Sequence, residues 1–325
     1  MLDEVPLSSA EAGYVEAARA ANTLRGYRSD WREFTSWCSQ HGDLAPTPAA
    51  PGTVSGYLTM LAQAGAKVGT MSRRLSAIRF VHQLQNQPDP TRNARVLAVW
   101  EGIRRTHGAP PEQAAPLMPP ELFDVLDAYP TTKVCRTPNR SPEPDLAGAR
   151  DRALLLVGFV AALRRSELAA LTVHQVTEHP NGLVLTLPRS KTNQTGEHIE
   201  LVVLPRAGHP DRCPVVAIEH WCELARITDG PLLRPVGKNN TAGGRALNPE
   251  SVNTLVRNAV ARAGLDPTRY SAHSLRAGFV TYAHLRGASD RAIAHQTRHR
   301  SLATLGGYVR IHQAWTDNAA TILGL

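Results

Sequence analysis

The chain has 325 residues, 42% of them hydrophobic, enough for one large core or two medium ones, and domains of ~100–200 residues make two the natural expectation. Its 36 Lys and Arg against 28 Asp and Glu leave a net charge of +8, which points to anionic partners. The longest apolar run is far short of the ~20 residues that span a bilayer, the N-terminal MLDEVPLSSAEAG has no apolar signal core, and the four cysteines lack C-x-x-C spacing. Disordered, secreted and membrane classes and a zinc ribbon are excluded, and a cytoplasmic protein with reduced thiols and no membrane partner is expected.

In chain order, the first hundred residues read as helices. Tyr27, Trp31, Phe34, Trp37 and Cys38 recur at helical spacing, with Asn22 as the expected N-cap. A second helix follows Pro51, with Val54, Tyr57, Leu58 and Leu61 on one stripe. A third, from about Thr70, turns Met71, Leu75, Ile78 and Val81 inward and places Arg73, Arg74 and Arg79 elsewhere on its circumference. A fourth covers about 92–105. The run HGAPPEQAAPLMPP holds five prolines and a glycine and cannot continue a helix, so it reads as a connector at 109–120 between a first domain at 1–108 and a second at 121–325.

The second domain opens with a Pro-rich excursion, RTPNRSPEPD, then an apolar helix at 152–163 that ends near Arg164. Strands at 183–187 and 198–204 belong to a small three-stranded antiparallel sheet, with loops at 181–182 and 193–196. Helices are expected at 213–226, 248–263, 273–286, 288–296 and 301–309, with a short last one at 314–325. The fold class is therefore mainly α with a small antiparallel β-sheet in the C-terminal domain: a helical bundle followed by an α+β domain.

Three basic clusters stand out in the second domain: LRRSEL, RSKTNQTGEH, and AHSLRAGF followed by RHRSLATLGGYVR. Arginines, a lysine and histidines gathered in one pocket would clamp a phosphate and offset the charge that develops during phosphoryl transfer. Taken singly, each is weak: Arg164 reads as a solvated residue or a partner of a helix dipole, and His273 and Arg276 share a helix face at i, i+3. His295 and His299 have the spacing of a zinc pair, but Gln296 stands where metalloproteases carry Glu and no third ligand is evident. No G-x-S-x-G elbow exists.

As an ordered set, Arg164 with Ser166-Glu167-Leu168, Lys191, His273-x-x-Arg276, His299 and Tyr308 resembles the tyrosine recombinase (phage integrase) family. The resemblance covers almost the whole chain, because T-L-R-x-Y at 23–27 with Trp31 and Phe34, and MSRRLSAIRFVHQ, look like that family's helical core-binding (SAM-like) domain. AHSLRAGFVTYAHLRGAS is similar to the corresponding stretch of the Cre-like two-domain recombinases. The resemblance implies a site-specific recombinase that cuts and rejoins double-stranded DNA through a 3′-phosphotyrosyl link and a Holliday junction. The implied assembly is a homotetramer on paired inverted-repeat sites, whose two domains close round the duplex.

By the same resemblance, Tyr308 is the nucleophile, Arg164 and Arg276 clamp the non-bridging oxygens, and Lys191 protonates the leaving 5′-oxygen. His273 handles the tyrosine proton, His299 donates a further hydrogen bond to the phosphate, and Glu167 orients its neighbours. Arg25, Arg28, Arg73, Arg74, Arg79 and Arg189 are the candidate DNA contacts. No cofactor, ATP or metal is expected, in keeping with the absence of a Walker loop and of a two-metal carboxylate cluster. Tyr27, Tyr57, Tyr270 and Tyr282 read as packing residues. The sequence departs from the family pattern at Arg298 and Ala162, where glycine is frequent, and Gly306 and Gly307 are poor helix formers. The same residue set also serves type IB topoisomerases, and a binding-only relative is the other alternative.

Overall fold

In the computed structural model, the described residues are Tyr14, 18–42, 44–110, 113–133, 142–188 and 199–299. The chain divides into two compact units, Met1–Glu112 and Gln113–Leu325. The expected helices at 301–309 and 314–325, the turn at 193–196, and Lys191, Arg189 and Tyr308 lie outside the described residues.

The first unit is a bundle of α1 (Ala21–Gln40), α2 (Pro51–Gln63), α3 (Val68–Leu84) and α4 (Ala94–His107). Each helix buries the stripe its periodicity lays out, so Phe34, Cys38, Val54, Tyr57, Leu58, Met71, Ile78 and Val96 form one core. Two start signals are local: Pro51 occupies the first turn of α2, and the Asn93 side chain accepts from the Arg95 N–H at the start of α4. The expected cap at Asn22 is not used. Helix α1 begins earlier, after Ala20, with no side-chain cap, because its tertiary packing supplies the stability a cap would add. Buried His82 joins two elements: its Nδ1–H donates to the Ile78 carbonyl (2.8 Å) and its Nε2 accepts from the Ala49 N–H (2.9 Å), which fixes one neutral tautomer.

Between α1 and α3 lies an ion-pair network. Arg73 forks onto buried Asp30 (2.7 and 2.9 Å), while Arg74 bonds the Tyr57 hydroxyl (2.7 Å) and Glu33. Arg79 reaches Thr91 and, at 3.1 Å, Asp89. A carboxylate buried like Asp30 requires such partners. The basic face of α3 is therefore engaged within its own unit while Arg73 and Arg79 remain exposed, as are Arg25 and Arg28 on α1.

The second unit is built round α6 (Leu146–Val160), α8 (Pro214–Ala225), α9 (Pro249–Arg262) and α10 (Ala272–Leu285). Around them lie α5 (Glu121–Asp127), α7 (Arg165–Ala170) and α11 (Asp290–Thr297). A two-stranded sheet pairs β1 (Thr132–Lys133) with β2 (Glu143–Pro144). The expected three-stranded antiparallel sheet has β4 (Gly182–Leu187) between β3 (Val176–His179) and β5 (Glu200–Pro205). Its pleat follows the hydrophobic alternation: Leu183, Leu185 and Leu187 of β4, with Val202 and Leu204 of β5, face the core.

Further findings differ from the sequence reading, and one is that β2 falls within the Pro-rich stretch read as an excursion. No element was expected at 121–127, where the short α5 buries Leu122, Val125 and Leu126. Part of the expected connector is core: Leu117 is fully buried, its N–H bonds the Ser274 carbonyl (2.9 Å), and the Ala115 N–H bonds the Arg269 carbonyl (2.8 Å). Proline there prevents helix formation without preventing docking. This docking explains Gly278 on α10, since a Cβ at that position would stand 2.0 Å from the Leu117 carbonyl oxygen. Among the described residues no helix is long and apolar enough to cross a membrane.

Candidate active site

The site begins at a turn. Helix α6 ends at Val160, earlier than its apolar run suggests, and Ala162 then takes a left-handed conformation with φ +47°. The reversal makes Arg164 the N-cap residue of α7, which corrects its expected place at the end of the apolar helix. Glu167 stands three residues on, so one carboxylate serves two purposes: Oε2 accepts from the Arg164 backbone N–H (2.9 Å) and Oε1 from the Arg164 guanidinium (2.8 Å). Glu167 thereby holds the first arginine at both its backbone and its guanidinium.

The third cluster arrives on α10. The Ser271 side chain caps this helix by accepting from the His273 N–H, which sets His273 in the exposed first turn and carries Arg276 one turn inward. Arg276 is 2% exposed, a fully buried arginine that has to be paired. Its Nη1 donates to the Ala162 carbonyl and its Nη2 to the Thr297 carbonyl, both at 2.5 Å, and Nη2 also lies 3.1 Å from Nε2 of His299. It thus ties the turn before Arg164 to the end of α11. That end is a second left-handed position, Arg298 at φ +57°.

Both departures from the family pattern now have a shared cause. Ala162 and Arg298 occupy the left-handed region, where glycine is unstrained and an L-residue is disfavoured by about 1–2 kcal/mol. At Arg298 the side chain offsets this. Its guanidinium, 6% exposed, pairs with Glu167 and lies 3.1 Å from Glu200 at the start of β5. Burial pulls its pKa below the usual arginine value against the opposite pull of those two carboxylates. Arg164, Glu167, Arg298 and Glu200 thus form a charge chain from α7 to β5. Arg298→Gly should relax the backbone yet lower stability by a net of about 2 kcal/mol, because two largely buried carboxylates lose a partner. Urea unfolding measures it, and an unchanged or higher midpoint would mean that the pairs contribute nothing net.

His299 completes the cluster, and its protonation follows from its neighbours. Thr297 Oγ1 donates to the Ile293 carbonyl (2.7 Å), so toward Nδ1 of His299, also at 2.7 Å, it can only accept. Nδ1 therefore carries the proton. Arg276 has no acceptor atom, so Nε2 faces it with a lone pair. Burial first, then the charges of Arg276, Arg164, Arg298 and His273, push the His299 pKa down to about 4, which keeps the ring neutral at pH 7. As placed here, Nε2 is an acceptor, and the expected hydrogen bond from His299 to a phosphate requires a shift of its proton. With both ring nitrogens engaged, no zinc pair forms with His295. Among the described residues no group of three metal-ligating side chains exists.

The structure therefore brings together Arg164, Glu167, Arg276 and His299, with His273 within electrostatic reach of His299. Sequence reasoning missed three participants. Arg298 carried a signal, as a departure from glycine, whereas Thr297 and Glu200 carried none, because each matters only through what the fold places beside it.

This fold and this order of clusters define a class, the tyrosine recombinases. The phage integrase family matches residues 132–314, and that family's N-terminal SAM-like domain matches residues 14–86. An integrase/recombinase XerD homolog of Selenomonas ruminantium is 33% identical over 308 residues, 94% of this chain and 86% of the relative. Tyrosine recombinase XerD of Yersinia pestis is 25% identical over 309 residues, 93% and 90% of the two chains. Among solved structures, XerH site-specific recombinase bound to palindromic difH substrate superposes with a TM-score of 0.65 at 18% identity, covering 98% of this chain and 85% of that one. Tn1549 transposon integrase in complex with transposon right end DNA gives 0.59 at 13% identity, covering 92% of each. The chain belongs to the phage integrase family and is a site-specific tyrosine recombinase.

Proposed function

We propose that this recombinase cuts and rejoins duplex DNA through a 3′-phosphotyrosyl intermediate, in two rounds of strand exchange that pass through a Holliday junction. The observation that carries the reading is the convergence of Arg164 with Arg276 and His299, which lie more than a hundred residues later in the sequence, round the Glu167 carboxylate and the Ala162 turn. Two guanidiniums there are suited to hold the non-bridging oxygens of one phosphate and to offset charge in the transition state. Tyr308, within the stretch matched by the family, supplies the attacking oxygen. Its Oη bonds to phosphorus as the P–O5′ bond breaks. His273 accepts the phenolic proton and Lys191 delivers one to the departing 5′-oxygen. Attack by a 5′-hydroxyl of the partner strand reverses these steps, so bond energy is conserved and no cofactor is consumed.

The proposed division of labour gives residues 1–108 core-site binding, 109–120 the connection and 121–325 catalysis. Exposed Arg25, Arg28, Arg73 and Arg79 are proposed phosphate contacts of the first unit, together with Arg74, with Arg73, Arg74 and Arg79 also serving carboxylates and hydroxyls there. Arg189 is proposed for the same role in the second unit. The substrate is duplex DNA with paired inverted-repeat sites, bound by a homotetramer. Relatives named for recombination and solved neighbours bound to DNA support the reading.

The test is a nicked duplex carrying the junction of the protein's own element, from which the cleaved 5′ end diffuses away. A covalent protein–DNA species that survives denaturation and is destroyed by protease is the expected result. Retention of the same DNA with no adduct would overturn the catalytic reading and leave a binding protein of this fold.

A further inference from the structure

We infer that Thr297 is a positioning residue that sets the tautomer of His299 and allows it to change when a phosphate enters the site. The inference rests on the proposed place of His299 in that site. It begins from a chemical asymmetry between the two groups that hold the ring. Arg276, at Nε2, is a donor and nothing else, whereas the Thr297 hydroxyl, at Nδ1, both donates and accepts. The tautomer of a histidine is set by the hydrogen bond its other nitrogen makes.

In the structure Thr297 gives its proton to the Ile293 carbonyl and accepts from Nδ1, which leaves Nε2 as the acceptor for Arg276. When a phosphate draws the Arg276 Nη2 donor to its own oxygen, Nε2 loses that donor and faces an anion. A donating Nε2–H is then the stable form. Thr297 can meet this change by rotation about its Cβ–Oγ bond: its proton turns from the Ile293 carbonyl to Nδ1, now a lone pair. The net change moves one proton from Nδ1 to Nε2 and breaks no covalent bond to carbon or phosphorus. Both tautomers are thus served by one side chain that is fully buried and shielded from competing water. A valine of the same shape can serve neither.

The experiment uses protein labelled with ¹⁵N in histidine, with the His299 signal assigned from its loss in His299→Gln. Ring-nitrogen chemical shifts and long-range couplings read the tautomer. In wild type without DNA the Nδ1–H form is expected at neutral pH. Thr297→Val should give a mixture of the two forms and slow formation of the covalent adduct by roughly 10-fold, the scale on which loss of an outer hydrogen-bond partner is felt. Thr297→Ser, which keeps the hydroxyl, should restore both the single tautomer and the rate. An Nε2–H form or an imidazolium in the free wild type would overturn the inference. So would a valine variant that keeps the Nδ1–H form and the wild-type rate. The spectrum reads Thr297 in the free protein, so a failure of DNA cleavage itself would be seen separately, in the wild-type adduct.

Discussion

Tyr308→Phe is expected to abolish the covalent protein–DNA adduct completely while DNA retention stays within about 2-fold of wild type, since one uncharged oxygen adds little to an affinity built on phosphate contacts. In the proposed mechanism the phenolic oxygen is the atom that bonds to phosphorus, and phenylalanine has no substitute for it. Other tyrosines are poorly suited to replace it. Tyr57 is fully buried with its hydroxyl bonded by Arg74. The Tyr129 hydroxyl donates to Asp151, and burial drives its pKa far above that of a free phenol. Tyr270 is buried, while Tyr27 and Tyr282 pack against Phe80 and Phe159. Exposed Tyr14 belongs to the first unit. Gel mobility after denaturation of the nicked-substrate reaction provides the measurement. An adduct in the variant at the wild-type rate would transfer the role to another nucleophile and undo the assignment.

Arg276→Lys is expected to slow adduct formation by about 100-fold to 1000-fold, the range observed when one preorganised donor to a developing oxyanion is removed. Charge is retained, so the loss measures geometry. Arg276 fans its donors over the Ala162 carbonyl, the Thr297 carbonyl and His299, and an ammonium on a flexible stem cannot meet all three at once. The structural share of the effect is separable. Leaving one buried carbonyl without its donor costs about 1–3 kcal/mol, read by urea unfolding, whereas the catalytic share persists under conditions where the variant is fully folded. A lysine variant that unfolds like wild type and cleaves within a factor of about three of it would show that Arg276 contributes no oriented contact to the transition state.

These two expectations differ in what they rest on. Tyr308 is assigned by its order in the sequence and by the family match that runs through it. Arg276 is assigned as well by what surrounds it: a side chain this large and this buried, spending its donors on the Ala162 and Thr297 carbonyls, ties the turn after α6 to the end of α11. Rate and stability should therefore fall together at Arg276 and separately at Tyr308.

The amino-acid sequence by itself determined the features that depend on near neighbours along the chain. The 3.6-residue stripes of α1 to α4 specify a bundle with a core of Phe34, Leu58, Met71 and Ile78, and the alternation in β4 and β5 specifies which face of the sheet is buried. The ordered clusters round Arg164, His273 and Arg276, and His299 were legible for the same reason, since each is a short motif whose residues share a turn or a helix face. Short α5 escaped notice because seven residues carry too little periodicity to distinguish them from a loop.

Only the tertiary structure decided what the charges do. Arg73, Arg74 and Arg79 look alike on a helical wheel, yet Asp30, Glu33 and Asp89 come from distant turns to claim them. Ala162 and Arg298 tolerate left-handed backbone because Arg276 clamps the carbonyls beside both, and Glu167 and Glu200 engage the Arg298 side chain. The direction in which His299 presents its lone pair depends on Thr297 and Arg276 together. Helical and strand periodicity is a property of consecutive residues, whereas the partner of a charge and the lone pair of a histidine depend on groups that folding brings together, as it brings Arg276 to 3.1 Å from His299 across 23 residues of sequence.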